Sequence, residues 1–250
     1  ATLNPLFIMG CGMSINDLSA VEKKFIESST SVGINLFVIS DIIPTYLTWE
    51  DPKKLGLHDL YLHVLANKGS KFSERAPKLL LHDGFLQSGY NLEKLAGFFN
   101  EVRIYTTARM VSFDKKKLRE SYKYLFNPWV MKLMGPGMIY GLQSTLDRLT
   151  HMAIAADFKE IVFIGIDLDD PRYFWEDLHI DKYINGELRK LIKVDLNKPH
   201  LTERKSGQIP VSEVIKLASS YAESKGMKFY TSSTKSKLSS FLPIYKFPKN

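Results

Sequence analysis

A run of apolar residues in the last third of the chain ends in three carboxylates. The segment EIVFIGIDLDDP, residues 160–171, places Asp167, Asp169 and Asp170 in close succession. Two acids spaced two residues apart at the end of a strand can hold Mg²⁺ or Mn²⁺ against a diphosphate. The same acids could simply mark the end of a strand, because Asp170 followed by Pro171 is a good turn. Spacing alone leaves both interpretations open.

A second set of polar residues could bind a nucleoside monophosphate without a metal ion. Glycines and hydroxyls suit a phosphate, Asn and Asp side chains suit a base and a ribose, and tyrosine hydroxyls can stabilise a departing phosphate. A histidine that is neutral near pH 7 can take the proton from an attacking hydroxyl. Residues of these types occur at predicted loop positions: Gly10, Gly12, Ser14, Asn35, Asp51, Ser144, Thr145, Tyr173 and His200.

The elements that must position these residues alternate along the chain. Seven short apolar runs are predicted strands: NPLFIMG, GINLFVIS, PTYLTWE, PKLLLHDG, VRIYTTA, EIVFIGID and MKFYTSS. Amphipathic helices are predicted over residues 17–27, 57–66, 92–99, 143–156 and 211–225, and Ser14 or Asn16 is the expected N-cap of the first. This alternation predicts an α/β domain with a mostly parallel sheet and helices on both faces. Because ligands of such sheets bind beyond the carboxyl ends of the strands, the polar candidates fall where a site is expected.

Composition predicts one globular domain over residues 1–250. The chain is 44% hydrophobic and 24% charged, with a formal net charge of +7 that favours anionic partners. No apolar stretch is long enough to span a bilayer and no secretory signal is recognisable, so a soluble cytoplasmic protein is expected. Cys11 is the only cysteine, which excludes a disulfide within this chain and a cysteine-based zinc site.

Two segments could meet a membrane or a partner. The C-terminal tail TKSKLSSFLPIYKFPKN mixes lysines with aromatic residues, which suits peripheral contact with the inner face of the cell membrane. The same composition suits a packed segment with solvated lysines. The segment NPWVMKLMGPGMIYG, residues 127–141, suits a packed loop or a surface that meets lipid or a partner, and packing is the simpler expectation.

The order of these elements resembles that of the small bacterial sialyltransferases that use CMP-sialic acid. It resembles more loosely the sialyltransferase-like proteins of the motility-associated and pterin-diphosphokinase type. GCGMS is similar to the family's opening Gly-x-Gly-x-Ser, with Cys11 where Asn is usual, and Asn35 and Asp51 match the polar residues after the second and third strands. The segment MAIAADFKEIVFIGID is the closest match, to the family's helix, turn, strand and Gly-Ile-Asp ending.

Later motifs match in part. Ser144, Thr145 and Leu146 stand where the family has Thr-Ser-Gly, and Leu142 stands where it has an arginine. Tyr173, with Arg172 beside it, resembles a tyrosine that holds the leaving phosphate. His200 corresponds to the family's catalytic histidine.

The resemblance implies a Rossmann-like domain, a variant of the GT-A type, with residues 168–205 as a lid. It implies inverting, metal-independent transfer of a sialic acid or related ulosonic acid, such as Kdo, from its CMP-activated form. The acceptor would be a glycan hydroxyl of a bacterial surface polysaccharide or lipooligosaccharide. His200 would be the general base and Tyr173 would assist departure of CMP, while Asp167 and Arg172 would belong to the nucleotide pocket, Asp167 from behind it.

Two other functions stay open. One is a metal-dependent D-x-D glycosyltransferase that uses a nucleoside-diphosphate sugar, in which Asp167 and Asp169 bind the metal. The other is a non-catalytic module that binds a nucleotide or a membrane surface; the basic residues are scattered and no nucleic-acid-binding signature is visible, so no nucleic acid is expected. The expected partners are therefore a CMP-sugar donor and a glycan acceptor, with no cofactor, and a second copy of the chain remains open.

Overall fold

The computed structural model describes residues 5–49, 58–87, 93–109, 114–134, 137–142, 144–176, 203 and 209–248. Its centre is one eight-stranded sheet in which every neighbouring pair of strands is parallel. The strands are β1 (Leu6–Met9), β2 (Thr30–Ile34), β3 (Tyr46–Trp49), β4 (Lys78–His82), β5 (Glu101–Arg109), β6 (Met138–Gly141), β7 (Glu160–Ile164) and β8 (Lys228–Thr231). The predicted α/β, Rossmann-like fold is confirmed.

Helices connect the strands in the described parts of the chain. They are α1 (Ala20–Ser28), α2 (His58–Arg75), α3 (Gly84–Gln87), α4 (Glu93–Ala96), α5 (Lys115–Leu125), α6 (Pro128–Met134), α7 (Thr145–Ala155) and α8 (Val211–Glu223). Helix α2 is interrupted at Gly69, whose φ of 54° is not helical. Short 3₁₀ turns cover Met13–Asp17, Asn35–Ile39, Phe174–Glu176 and Lys237–Ser240.

The sheet order is β6-β5-β4-β3-β2-β1-β7-β8. The chain therefore builds outward from β1 to β6 and then returns to place β7 on the other side of β1. Successive side chains of a strand point to opposite faces, and all four residues of β1 are buried. Leu6 and Ile8 join the core under α5, α7 and α8, whereas Phe7 and Met9 join the core under α1, α2 and α4.

Three sequence predictions about elements need correction. The run GINLFVIS is not one strand, because β2 ends at Ile34 and residues 35–39 form a buried 3₁₀ turn. The N-cap of α1 is Ser19, which forms a capping box with Glu22; Ser14 and Asn16 lie in the preceding 3₁₀ turn. The segment 127–141 contains α6 and the edge strand β6 rather than a packed loop.

The C-terminal tail packs onto the sheet. Tyr245 and Phe247 lie with their ring centroids 5.6 and 6.1 Å from that of Phe7, and Leu238 and Leu242 are buried. The Tyr245 amide also donates to the carbonyl of Thr231 at the end of β8, at 2.8 Å. These apolar side chains therefore pack against the rest of the protein. Of the two alternatives for the tail, membrane contact or a packed segment, this is the packed segment.

Among the described residues, no helix combines the length and the apolar character that a bilayer span needs.

Candidate functional site

The order of strands reverses beside β1, and the polar candidates collect there. β1 pairs with β2 on one side and with β7 on the other, so the loops after β1 and β7 begin at adjacent strand ends. Such a switch point opens a crevice at the carboxyl edge of a parallel sheet. The loop after β1 carries Gly10, Gly12 and Ser14, and the loop after β7 carries Asp167.

Ser14 and Asp167 join these two loops directly. The Ser14 amide donates to Asp167 Oδ2 at 2.8 Å, and the Ser14 hydroxyl donates to Asp167 Oδ1 at 2.6 Å. Both residues are buried, with exposed fractions of 3% and 4%. Burial raises the pKa of the Asp167 carboxyl, although the two hydrogen bonds from Ser14 act to lower it. Asp167 therefore fastens the β1 loop to the end of β7.

Gly12 leaves room for this carboxylate. A Cβ built at Gly12 would overlap Asp167 Oδ2, and one built at Gly10 would overlap the side chain of Ile166 and the carbonyl of Gly165. The two glycines thus allow the β7 loop to approach closely. Packing within the protein is therefore enough to explain glycine at both positions.

The backbone amides of the β1 loop also donate hydrogen bonds to the end of β7 and the loop that follows it. The Gly10 amide donates to the Ile164 carbonyl and the Gly12 amide donates to the Gly165 carbonyl, each at 2.8 Å. The Ser14 amide is held by Asp167. All three amides therefore have partners in this conformation, and a phosphate would have to use other donors or displace these partners.

Asn35 and Cys11 lie where the ends of β1 and β2 meet. Asn35 directly follows β2 and has a φ of 52°, a left-handed conformation that Asn adopts more readily than most residues. The Cys11 thiol donates to the carbonyl of Ile34 at 3.4 Å, and burial raises the pKa of that thiol. A raised pKa disfavours the thiolate, which is the nucleophilic form of cysteine.

Tyr173 is tied to the same loop. It forms an antiparallel bridge with Gly12, and the next amide, that of Phe174, donates to the Cys11 carbonyl at 2.9 Å. Its half-buried ring stacks on Trp175, with 4.4 Å between the ring centroids. The structure therefore brings the predicted Tyr173 beside Gly12, Ser14 and Asp167.

The other two acids of the segment EIVFIGIDLDDP, Asp169 and Asp170, each lie near a basic side chain. The Arg172 guanidinium contacts both oxygens of Asp170, the shortest contact being 2.7 Å from Nη2 to Oδ2, and these bonds lower the pKa of that carboxyl. Lys237 Nζ lies 3.6 Å from Asp169 Oδ1. Within the described ranges, no group of three or more His, Cys, Asp or Glu side chains is arranged to hold a metal ion.

Lys235 and Lys237 were missed as site residues. They follow β8, the strand beside β7, and the sequence suggested only a basic tail. Lys235 pairs with Asp17 at 2.8 Å, and Lys237 pairs with the buried Glu203 carboxylate at 2.8 Å. The rule that functional residues follow strands would have found both.

Ser144 and Thr145 begin helix α7. The Ser144 hydroxyl accepts from the Asp147 amide at 3.0 Å, and the Asp147 carboxylate accepts from the Ser144 amide at 2.6 Å, which completes a capping box. Arg148 donates to the Thr145 hydroxyl at 3.1 Å. An arginine thus stands one turn into the helix, whereas Leu142, the position of the family's arginine, is buried in the core with Leu146.

Asp51 and His200 lie outside the described residues, as does most of the expected lid, residues 168–205. Of that lid, residues 168–176 and Glu203 are described. Glu203, three residues after His200 in the sequence, accepts from the amide and hydroxyl of Ser212, both at 2.8 Å, as well as from Lys237.

The chain was compared with known protein families, with curated proteins and with solved structures, and none of the three comparisons gave a match. Function must therefore be argued from the site. Its chemical content is a carboxylate held by a serine, a tyrosine on the adjoining loop, a left-handed Asn, and three cations, Arg172, Lys235 and Lys237, beside the end of β7.

Proposed function

We propose that the protein is an inverting glycosyltransferase that moves a sialic acid or related ulosonic acid, such as Kdo, from its CMP-activated form to a glycan hydroxyl. The observation that carries the proposal is the convergence of Ser14, Asp167 and Tyr173 at the point where the sheet order reverses. Parallel sheets of this kind bind nucleotides at that point.

The proposed reaction needs charge neutralisation at one departing phosphate. The acceptor oxygen attacks the anomeric carbon, the bond from that carbon to the phosphate oxygen breaks, and CMP leaves with the bonding electrons. Tyr173 can donate to the departing phosphate, and Arg172 and Lys235 could supply positive charge to it by turning away from Asp170 and Asp17. His200 would take the proton of the acceptor hydroxyl as general base.

The hydrogen bonds of the acids support a mechanism without a metal ion. Both oxygens of Asp167 accept from Ser14, and Asp170 is neutralised by Arg172. Each Asp167 oxygen keeps a second lone pair, but a divalent cation bound there would compete with the hydrogen bonds from Ser14 for the same carboxylate. The metal-dependent D-x-D alternative would therefore weaken the contact that joins the two loops, whereas the CMP-based proposal keeps Asp167 bonded to Ser14.

The first test is a thermal-shift comparison of CMP, CDP, UDP and GDP, each measured with EDTA and with Mn²⁺. A ligand that binds only the folded protein raises its melting temperature in proportion to the logarithm of concentration over dissociation constant. We expect stabilisation by CMP in EDTA. Stabilisation by a diphosphate only in the presence of Mn²⁺ would overturn the proposal and favour the D-x-D alternative.

The second test separates catalysis from binding. Release of CMP from CMP-sialic acid and CMP-Kdo should fall at least about 100-fold in His200→Ala, because a general base typically contributes 10²–10⁴-fold. The stabilisation by CMP should stay nearly unchanged. His63→Ala, at an exposed hydrogen bond to Asn67, serves as control. Equal loss of CMP binding and turnover in His200→Ala would make this histidine structural.

A further inference from the structure

Helices α5 and α6 expose a patch of large apolar side chains. Tyr124, Trp129 and Leu133 have exposed fractions of 70%, 76% and 83%. Helix α6 has no buried residue at all. Single exposed apolar side chains are common on soluble proteins, but three large ones within ten residues are unusual and call for an explanation.

The geometry of α6 puts its apolar side chains on one side. Trp129, Lys132 and Leu133 are spaced by three and four residues, so they share one face of the helix. The Asn127 side chain accepts from the Trp129 amide at 2.9 Å, which fixes the first turn. The exposed face of α6 therefore presents an indole and an isobutyl group one turn apart, together with the ammonium group of Lys132.

The same two helices carry an excess of basic residues. Residues 114–134 contain six basic residues, Lys115, Lys116, Lys117, Arg119, Lys123 and Lys132, against two acidic ones, Asp114 and Glu120. On α5 the exposed Lys116, Arg119 and Lys123 lie three and four residues apart and so share one side of the helix. Of the six basic residues, Lys115 forms a salt bridge with Glu213 at 2.9 Å.

We propose that this α5–α6 patch, formed by Lys116, Arg119, Lys123, Tyr124, Trp129, Lys132 and Leu133, docks on the surface of an anionic phospholipid bilayer. Trp129 and Leu133 would enter the headgroup region, and the basic side chains would face lipid phosphates. Tryptophan and tyrosine favour the membrane interface, and basic residues beside apolar ones favour an anionic leaflet over a neutral one.

Charge complementarity selects this occupant. A second copy of the chain would bring the same excess of positive charge against itself, which is repulsive, whereas an anionic bilayer would neutralise it. The C-terminal tail is a weaker candidate for membrane contact, because Tyr245 and Phe247 pack against Phe7.

The tryptophans supply a direct probe. The chain has three, and Trp49 and Trp175 are buried, with exposed fractions of 1% and 2%. Only Trp129 can therefore move from water into lipid. We expect the tryptophan emission to shift to shorter wavelength when vesicles of phosphatidylcholine with phosphatidylglycerol are added, and to stay unchanged with phosphatidylcholine alone.

Flotation of the same vesicles measures binding independently of any enzymatic activity, so its result does not depend on the proposed function. Trp129→Ser with Leu133→Ser should weaken binding by about tenfold or more, because it removes most of the inserted apolar surface. Lys116→Gln with Lys123→Gln should weaken it by a similar factor. Lys24→Gln with Lys228→Gln, an equal charge change at exposed positions away from the patch, should bind nearly as the unaltered protein does.

Three outcomes would overturn the proposal. The first is no flotation of the unaltered protein with anionic vesicles. The second is flotation that the serine variants do not weaken, which would place the contact elsewhere. The third is an emission shift that follows protein concentration in the absence of vesicles, which would make a second copy of the chain the occupant.

Discussion

At the scale of single residues, the site depends on how closely two loops approach each other. Gly12 has no Cβ where one would overlap the Asp167 carboxylate, and Ser14 supplies two hydrogen bonds to that carboxylate. The motif Gly-x-Gly-x-Ser therefore has a demonstrable role inside the protein, whatever further role it has toward a nucleotide.

Gly12→Ala should destabilise the protein by about 2 kcal/mol or more, because the added methyl group must displace the buried carboxylate or break its bonds to Ser14. Urea unfolding measures the loss. Gly97→Ala is the matched control, since a Cβ built at Gly97 meets nothing within 4 Å. A Gly12→Ala midpoint equal to that of the control would contradict the close approach of the two loops.

At the scale of elements, the sequence predicted best those strands and helices whose apolar residues recur with a regular period. Strands β1, β3, β4, β5, β7 and β8 and the five predicted helices lie where the apolar periodicity indicates, although α2 runs on to Arg75, past its predicted end at residue 66, and α5 was not predicted. The run GINLFVIS misled, since residues 36–39 are apolar through burial in a 3₁₀ turn and not through membership of a strand. β6 was not predicted, because a strand of four residues in a segment rich in glycine and proline shows little hydrophobic periodicity in the sequence.

The site was predictable only in part, for a reason of sequence distance. Ser14 and Asp167 were both proposed as site residues, but nothing in the sequence reveals that they bond to each other across 153 positions. The sheet order, which places β7 beside β1, creates that contact. The contact between Lys237 and Glu203 could not be predicted either, because it depends on where the loop after β8 lies.

Helices α1 and α7 both begin with a capping box, one exposed and one buried, so the stability that each contributes can be compared. Ser144→Ala should lower the free energy of unfolding by about 1–2 kcal/mol, because the buried Asp147 loses a donor as the helix loses its cap. Ser19→Ala removes the same type of cap at an exposed position and should cost less. Chemical denaturation of both variants tests the ordering, and a larger loss for Ser19→Ala would refute it.

His151 gives helix α7 a sensitivity to acid. Its Nδ1 must carry a proton to donate to the Tyr140 carbonyl, at 2.8 Å, and its Nε2 then accepts from the Tyr122 hydroxyl, at 3.1 Å. Burial lowers the pKa of His151 below its ordinary value of 6.5, although Asp147 and the Tyr140 carbonyl act to raise it. The folded protein therefore favours the neutral imidazole.

A histidine whose folded pKa lies below its unfolded value contributes stability above the unfolded pKa and loses it as the pH falls. The melting temperature should accordingly drop as the pH is lowered from 7.5 through 6.5. His151→Gln should be less stable than the unaltered protein at pH 7.5 but should lose less stability on acidification. Parallel curves for the two proteins between pH 7.5 and 5.5 would show that folding does not lower the pKa of His151.

At the scale of the whole molecule, the two ends of the described chain share one aromatic cluster. Phe7 in the central strand contacts Phe25, Tyr245 and Phe247, so the C-terminal tail completes the core on one face of the sheet. A tail that serves the core cannot at the same time bury its aromatic side chains in a membrane.

Removing the two tail aromatics should therefore weaken the whole fold. Tyr245→Ala with Phe247→Ala should lower the free energy of unfolding by about 2–4 kcal/mol, as expected for lost aromatic packing. Lys246→Gln, the exposed residue between them, should change it by less than about 0.5 kcal/mol. Calorimetry of the three proteins decides the matter, and an unchanged double variant would mean that the tail does not support the core.

The place of β1 in the sheet also bears on how the protein is made. Leu6 is paired with Thr30 on one side but with Ile161 on the other, 155 residues later in the chain. A ribosome adds about 5–20 residues per second, so one edge of this wholly apolar strand waits roughly 8–30 s for its neighbour. Nascent chains that stop short of β7 would expose that edge, which makes this interval the period when the growing protein most needs protection from aggregation.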